Sequence, residues 1–179
     1  MPIGIPRYLA DPEQGVTLRN GVSVHVRAIR PDDEPRLMAM CRRLSPRTLY
    51  QRFFSVRRLL PEEAHAFANV DYRQRMAVVA EVDDGQELEL VGVARYGPSD
   101  EGTADIGLGP LLLEEILRAG EQRGIHEFSA DVLTDNRRTL RMLARHTAIT
   151  RRTVANGVTS LVFSRRADTT LEATRHGSP

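Results

Sequence analysis

The sequence predicts an α/β (α+β) fold: a single domain with helices flanking a central mixed sheet. Three observations carry that reading. Alternating apolar stretches come in pairs divided by turn residues, as in Val16–Ile29 around Asn20-Gly21 and Met76–Tyr96 around Asp83-Asp84-Gly85. Proline-led segments with helical apolar spacing lie between those pairs. A Gly107-Leu108-Gly109 turn then runs straight into a further apolar-striped helix. An order of hairpin, helices, hairpin, glycine turn with helix, strand, helix and hairpin fits no pure class.

The elements follow in chain order. Residues 1–14 are rich in Pro and Gly and are expected to form a loose arm. Asn20-Gly21 suits a type I′ turn, which needs positive φ at both central residues. Pro31-Asp32-Asp33-Glu34-Pro35 opens a helix with acids in its first turn, and Leu37, Met38, Met40, Cys41 and Leu44 give it an apolar stripe. Ser45-Pro46 starts a second helix with a cap residue and a proline at its first position, followed by Leu49, Tyr50, Phe53 and Phe54. Pro61-Glu62-Glu63 opens a third, reaching about Asn69. Met76–Val82 and Leu88–Tyr96 read as strands, and Gly97–Thr103 as a polar loop. The helix from Gly109 reaches about Arg123, where Gly124 stops it. Phe128–Leu133 is a strand, and Asn136–His146 an Arg-rich helix. Arg151–Val154 and Val158–Ser164 close the domain as a hairpin round Asn156-Gly157. The polar residues 167–179 are expected to form a flexible tail, leaving 15–166 as the folded domain.

Composition narrows the function classes. The chain has 179 residues, 41% of them hydrophobic, enough for a real core. No apolar run is long enough to span a bilayer, so no membrane role is expected. Cys41 stands alone, which excludes an intrachain disulfide or a cysteine-based zinc site. The histidines show no ligand spacing, and no metal is expected. These features fit a cytoplasmic protein. All 25 basic residues are Arg, but 24 acids are interspersed and no basic run exceeds two, so nucleic acid is not the expected partner.

A Gly-x-Gly turn at a helix N-terminus presents backbone N–H groups to an anion, or serves only as a tight turn. Its neighbours extend the pattern. Ser45-Pro46-Arg47-Thr48-Leu49-Tyr50-Gln51-Arg52-Phe53-Phe54, Val70-Asp71-Tyr72, Leu90-Val91-Gly92-Val93-Ala94-Arg95, Gly107-Leu108-Gly109, Arg123-Gly124-Ile125 and Asp135-Asn136-Arg137 stand in one order. In that order they resemble the GNAT N-acetyltransferases, closest to the catalytic domain of bacterial protein-lysine acetyltransferases, from about Thr17 to Phe163. The chain departs from the pattern at the fourth strand. Ala104-Asp105-Ile106 resembles its start, yet Gly107 follows at once. The rest of that strand and the first part of the acetyl-CoA loop are missing, and Pro110 removes one backbone donor at the helix start. Thr147-Ala148 stands where Gly-Phe is common, and no Tyr follows residue 96.

The resemblance implies acetyl-CoA as co-substrate and direct transfer to an amine, with a protein lysine as acceptor. It makes Asp105 the candidate base, while the residue alone reads as a solvated turn acid. It gives Gly107, Leu108 and Gly109 to the pyrophosphate. It gives Asn136 to the pantetheine arm, where a plain helix N-cap is the other reading. Glu62 and Glu63 read as first-turn helix acids, Phe53 and Phe54 as core, and Arg52, Arg57 and Arg58 as a solvated face. A sheet edge uncovered by the lost strand is a place where a homodimer could form. The alternative function is a non-catalytic GNAT-like protein that binds a partner.

Overall fold

The computed structural model describes residues 14–17, 21–54, 57–83, 85, 87–98 and 109–166. Four strands form one antiparallel sheet: β1 (Gln14–Thr17), β2 (Ser23–Ala28), β3 (Met76–Asp83) and β4 (Leu88–Tyr96), in that order. Three more form a second antiparallel sheet in the order β5–β7–β6: β5 (Phe128–Leu133), β6 (Thr147–Ala155) and β7 (Val158–Arg165). Helices α1 (Glu34–Arg43), α2 (Pro46–Phe53) and α3 (Pro61–Ala68) lie between β2 and β3 in the chain. Helix α4 (Gly109–Glu121) precedes β5, and α5 (Arg137–His146) precedes β6. The α+β class therefore stands, with the strands divided between two sheets and every pairing antiparallel among the described residues.

Strand β3 is central and buried on both faces. Its alternation divides the core. Met76, Val78 and Ala80 join the cluster that includes Leu112, Leu113, Ile116 and Leu117 of α4, Leu143 of α5, and Leu161 and Phe163 of β7. Ala77 and Val79 join Leu37, Met40 and Cys41 of α1 and Ala68 of α3 in the second cluster. The first sheet is thus covered on both sides, and α4 also joins it to the second sheet.

Local chemistry sets the element ends. Ser45 Oγ accepts the Thr48 N–H at 3.1 Å, capping α2 as the sequence predicts. Helix α4 stops in a paired C-terminal turn: the Ile125 N–H reaches the Gly120 carbonyl at 3.0 Å and Gly124 takes φ +79°. The first hairpin is a correction. Asn20 lies outside the described residues, but the register that pairs Thr17 with Ser23 puts an odd number of residues in the connection and so does not fit a two-residue turn at Asn20-Gly21. That turn occurs at the last hairpin instead. Ala155 pairs with Val158, and Asn156 and Gly157 take φ 50° and 77°. Strand β6 also starts earlier than expected, at Thr147, whose hydroxyl bonds back to the Leu143 carbonyl at 2.7 Å.

Asp33 stands in the first turn as the sequence predicts, and it is also buried, being 2% exposed. Arg27 grips it with two bonds of 2.7 Å and also donates to Glu81 at 2.8 Å. Arg36 reaches both carboxylates, and His25 lies 3.0 Å from Glu81. This cluster fixes the start of α1 against β2 and β3.

Candidate active site

The two sheets meet without hydrogen bonds between β4 and β5. Their junction is apolar and aromatic. Tyr96 of β4 meets Phe128 of β5 edge-on, with ring centroids 6.0 Å apart, and Phe128 stacks on Phe163 of β7 at 6.3 Å. A cavity of about 50 Å³ lies between Ala94, Tyr96, Leu117, Phe128, Met142 and Phe163. A larger one of about 240 Å³ adjoins it, walled by Phe67, Val70, Arg75, Arg95, Tyr96 and Pro98. Arg95 and Tyr96 line both.

The start of α4 borders this junction. Gly109 is buried, and a Cβ built there would lie 2.6 Å from Met142 Sδ. Met142 belongs to α5 and lines the smaller cavity. Gly92 of β4 is likewise pressed by Leu112 of α4, 2.7 Å from its Cβ position. Both glycines allow α4 to seat closely on its neighbours. No acid occupies the first turn of α4, so nothing there opposes an anion.

Of the predicted site residues, Gly109 and Asn136 are described; Asp105, Gly107 and Leu108 lie outside the described residues. Asn136 is 6% exposed and its side chain accepts the Thr139 N–H at 3.3 Å. That is the N-cap arrangement, the plainer of its two readings.

Glu63 and Glu81 are committed to structure. Arg57 bonds both Glu63 oxygens, and Glu63 also accepts the Leu60 N–H at 2.9 Å. The Arg57 bonds and the Leu60 amide hold the Glu63 carboxyl down at about 2. Burial pushes Glu81 up, but bonds from Arg27, His25 and Arg36 outweigh it and leave it at about 2. Neither is suited to taking a proton near neutrality. Arg52 corrects a prediction: it is 8% exposed and donates to the Val93 carbonyl at 3.3 Å instead of facing solvent.

Arg52 is one of three. Arg36 donates to the Leu88 carbonyl, and Arg43 to the Leu90 carbonyl at 2.8 Å. All three carbonyls belong to β4, the edge strand of its sheet among the described residues. Guanidinium groups from α1 and α2 therefore cap the edge on which the expected homodimer rests, from Leu88 to Val93. Sequence reasoning missed this; the only signal was three Arg at non-apolar helix positions. Among the described residues, no cluster of His, Cys, Asp and Glu suits a metal ion.

Comparison with known proteins agrees with this architecture. No protein-family model matches the chain. An acetyltransferase of Pseudomonas aeruginosa is 29% identical over 129 residues, covering 64% of this chain and 69% of its own length. The GNAT domain of S. lividans PAT superposes with a TM-score of 0.70 at 26% identity, covering 85% of this chain and 96% of that domain. A putative acetyltransferase from Salmonella typhimurium, solved with its cofactor acetyl-CoA, shares the fold at TM-score 0.57 and 15% identity, covering 87% and 97% of the two chains.

Proposed function

We propose that this chain, which has the GNAT acetyltransferase fold, is an acetyl-CoA-dependent N-acetyltransferase acting on a protein lysine amine. The observation that supports it most is the combined likeness in sequence and shape to the GNAT domain of S. lividans PAT, over almost all of that domain. The junction of the sheets adds a physical reason. An apolar cavity bounded by the edges of β4 and β5 adjoins the N-terminus of α4 through Met142. A donor with phosphates at the helix start and a thioester in the cleft suits that layout.

The reaction would be direct. The neutral amine attacks the thioester carbonyl, a C–N bond forms, the C–S bond breaks, and the CoA thiolate leaves, taking up the proton that the amide nitrogen sheds. Asp105 is the proposed base for the ammonium proton, and Gly107, Leu108 and Gly109 the proposed amide donors to the pyrophosphate. Calorimetry with acetyl-CoA, using desulfo-CoA and ATP as comparators, tests the donor. A Kd of tens of micromolar or tighter, about −6 kcal/mol, supports the enzyme. Absence of binding favours the alternative, a partner-binding module. Asp105→Ala should abolish transfer while sparing donor binding; undiminished turnover removes the role given to Asp105.

A further inference from the structure

We propose that the solvent face of α5 docks an acidic helix of a partner protein, whose carboxylates, four residues apart, pair with Arg137, Arg141 and Arg145. The surface goes beyond the transfer reaction and stands whether or not the chain transfers acetyl groups.

The helix period builds the surface. Arg137, Arg138, Arg141 and Arg145 are all exposed. At about 100° per residue they fall within about 100° of arc, on the side opposite the buried Thr139 and Leu143. From Arg137 to Arg145 the stripe is about 12 Å long. Strand β6 extends it. Ile149, Arg152 and Val154 stand opposite Phe163, Leu161 and Thr159 of β7. They therefore share the face of the sheet whose Leu161 and Phe163 join Leu143 of α5 in the core. Ile149 is 37% exposed and Val154 55%.

Elsewhere arginines are held by acids: Arg27 by Asp33, Arg57 by Glu63, Arg118 by Glu115 and Arg165 by Glu114. Among the described residues, no carboxylate pairs with the four on α5, and Arg141 donates only to the Arg137 carbonyl within the helix, at 3.2 Å. Their placement works against the helix. Arg137 and Arg141, and Arg141 and Arg145, are like charges one turn apart and repel. Arg137 and Arg138 stand at the positive end of the helix dipole, where an acid is favoured and none is present. An anionic partner relieves both strains.

Charge and shape choose the occupant. Carboxylates at every fourth position of a helix rise by about 6 Å each, the same step as the arginines. Two such rows stay in register, and each guanidinium fork meets a carboxylate in a bidentate pair. The exposed Ala144, Ile149 and Val154 offer apolar contact that a phosphate backbone does not use. The neighbouring α4 sets Glu114, Glu115 and Glu121 against Arg118 and Arg165, so the basic surface ends there instead of continuing as a track for a long polyanion. A protein segment fits better than a nucleic acid.

Four labelled probes test this by fluorescence anisotropy with the full chain. They are a helical peptide with Glu at every fourth position, the same peptide with Gln there, one with the same Glu content scrambled, and a DNA duplex of equal charge. The Glu-row peptide should bind about tenfold tighter than the other three and weaken as salt rises. Arg137→Gln with Arg141→Gln should lower its affinity about tenfold. Thermal melts of that variant should show a midpoint equal to or above wild type, since repulsion is removed. A lower midpoint would assign the stripe to stability and overturn the docking surface. Equal binding of the scrambled peptide, or tighter binding of the duplex, would overturn the helical protein partner. Acetyl-CoA affinity in calorimetry should be the same for variant and wild type. Weaker affinity in the variant, or displacement of the peptide by CoA, would give these arginines to the donor's phosphates instead. Absence of acetyl transfer bears on the proposed enzyme alone, and absence of peptide binding overturns this surface alone.

Discussion

Replacing Arg27 by Met should reverse the response of stability to acid. The Arg27 side chain is 7% exposed, and its partners Asp33 and Glu81 are 2% and 3% exposed. In the wild-type chain the Glu81 carboxyl falls from 4.5 to about 2, a shift worth about 3 kcal/mol. Asp33 is lowered as well, because the bonds from Arg27 and from the Arg30 amide outweigh its burial. Both groups are depressed, so their stabilisation is full above an unfolded carboxylate's pKa. It drains away as pH falls through about 2 for Glu81. Without Arg27, two buried carboxylates keep Arg36, His25 and the Arg30 amide as their partners among the described residues. Breaking a buried pair costs about 3–5 kcal/mol, a large share of a typical 5–15 kcal/mol total. The carboxyls of the variant are then raised rather than lowered. Their penalty is greatest near neutrality and is relieved as they protonate. Urea unfolding followed by circular dichroism at about pH 7, 5 and 3 should show the gap between wild type and variant shrinking as pH falls. A gap below about 1 kcal/mol at neutral pH, or one that stays constant with pH, would show that the cluster does not hold α1 in place.

Three other perturbations have defined outcomes. Gly120→Ala should destabilise by about 1–3 kcal/mol in urea unfolding, because its Cβ would stand 2.5 Å from Phe128 Cζ in a stacked ring; Gly109→Ala should cost less, since the flexible Met142 end can yield. Asn136→Ala should cost about 1 kcal/mol through the lost cap, and an unchanged acetyl-CoA Kd in calorimetry would identify the cap as its whole role. Arg43→Met with Arg52→Met should give concentration-dependent association in sedimentation velocity, with new hydrogen-exchange protection in β4; a variant sedimenting like wild type would show that the caps do not guard this edge.

Much of the fold was legible because it rests on local periodicity and punctuation. Ser45-Pro46, Gly124 and the two-residue turn at Asn156-Gly157 act through their own backbone geometry, so the sequence announces them. The Asn20-Gly21 pair misled for an instructive reason. The same dipeptide favours a tight turn wherever it occurs, but the register that pairs Thr17 with Ser23 is set by the strands and does not fit a two-residue turn there. The charge cluster was not legible, because Arg27 and Glu81 are 54 positions apart and meet only through the β2–β3 register. Asp33 is a helix-start acid as its sequence neighbours suggest, but its burial was not legible, because Arg27 of β2 and Arg36 of α1 close on it only once strand and helix pack. Of the candidate site, the glycine at the start of α4 and the cap at Asn136 could be read directly. The helix arginines that cap β4 could not, since each helix lacks any local sign of which carbonyl it will meet.

Those arginines explain how the sheet can end at β4 among the described residues. An edge strand leaves a row of carbonyls unsatisfied, and each buried one costs free energy unless it finds a donor. A neighbouring strand would supply backbone N–H groups along the whole row. Here Arg36, Arg43 and Arg52 supply guanidinium donors at Leu88, Leu90 and Val93, while α2 also touches β5 across the gap. A guanidinium suits this work better than an ammonium, because its planar fork bonds a carbonyl while its stem packs against apolar neighbours. The caps stop at Val93, short of Arg95 and Tyr96, the residues shared by the two cavities. The same edge is therefore closed where it needs only stability and left to the cavities where chemistry is proposed.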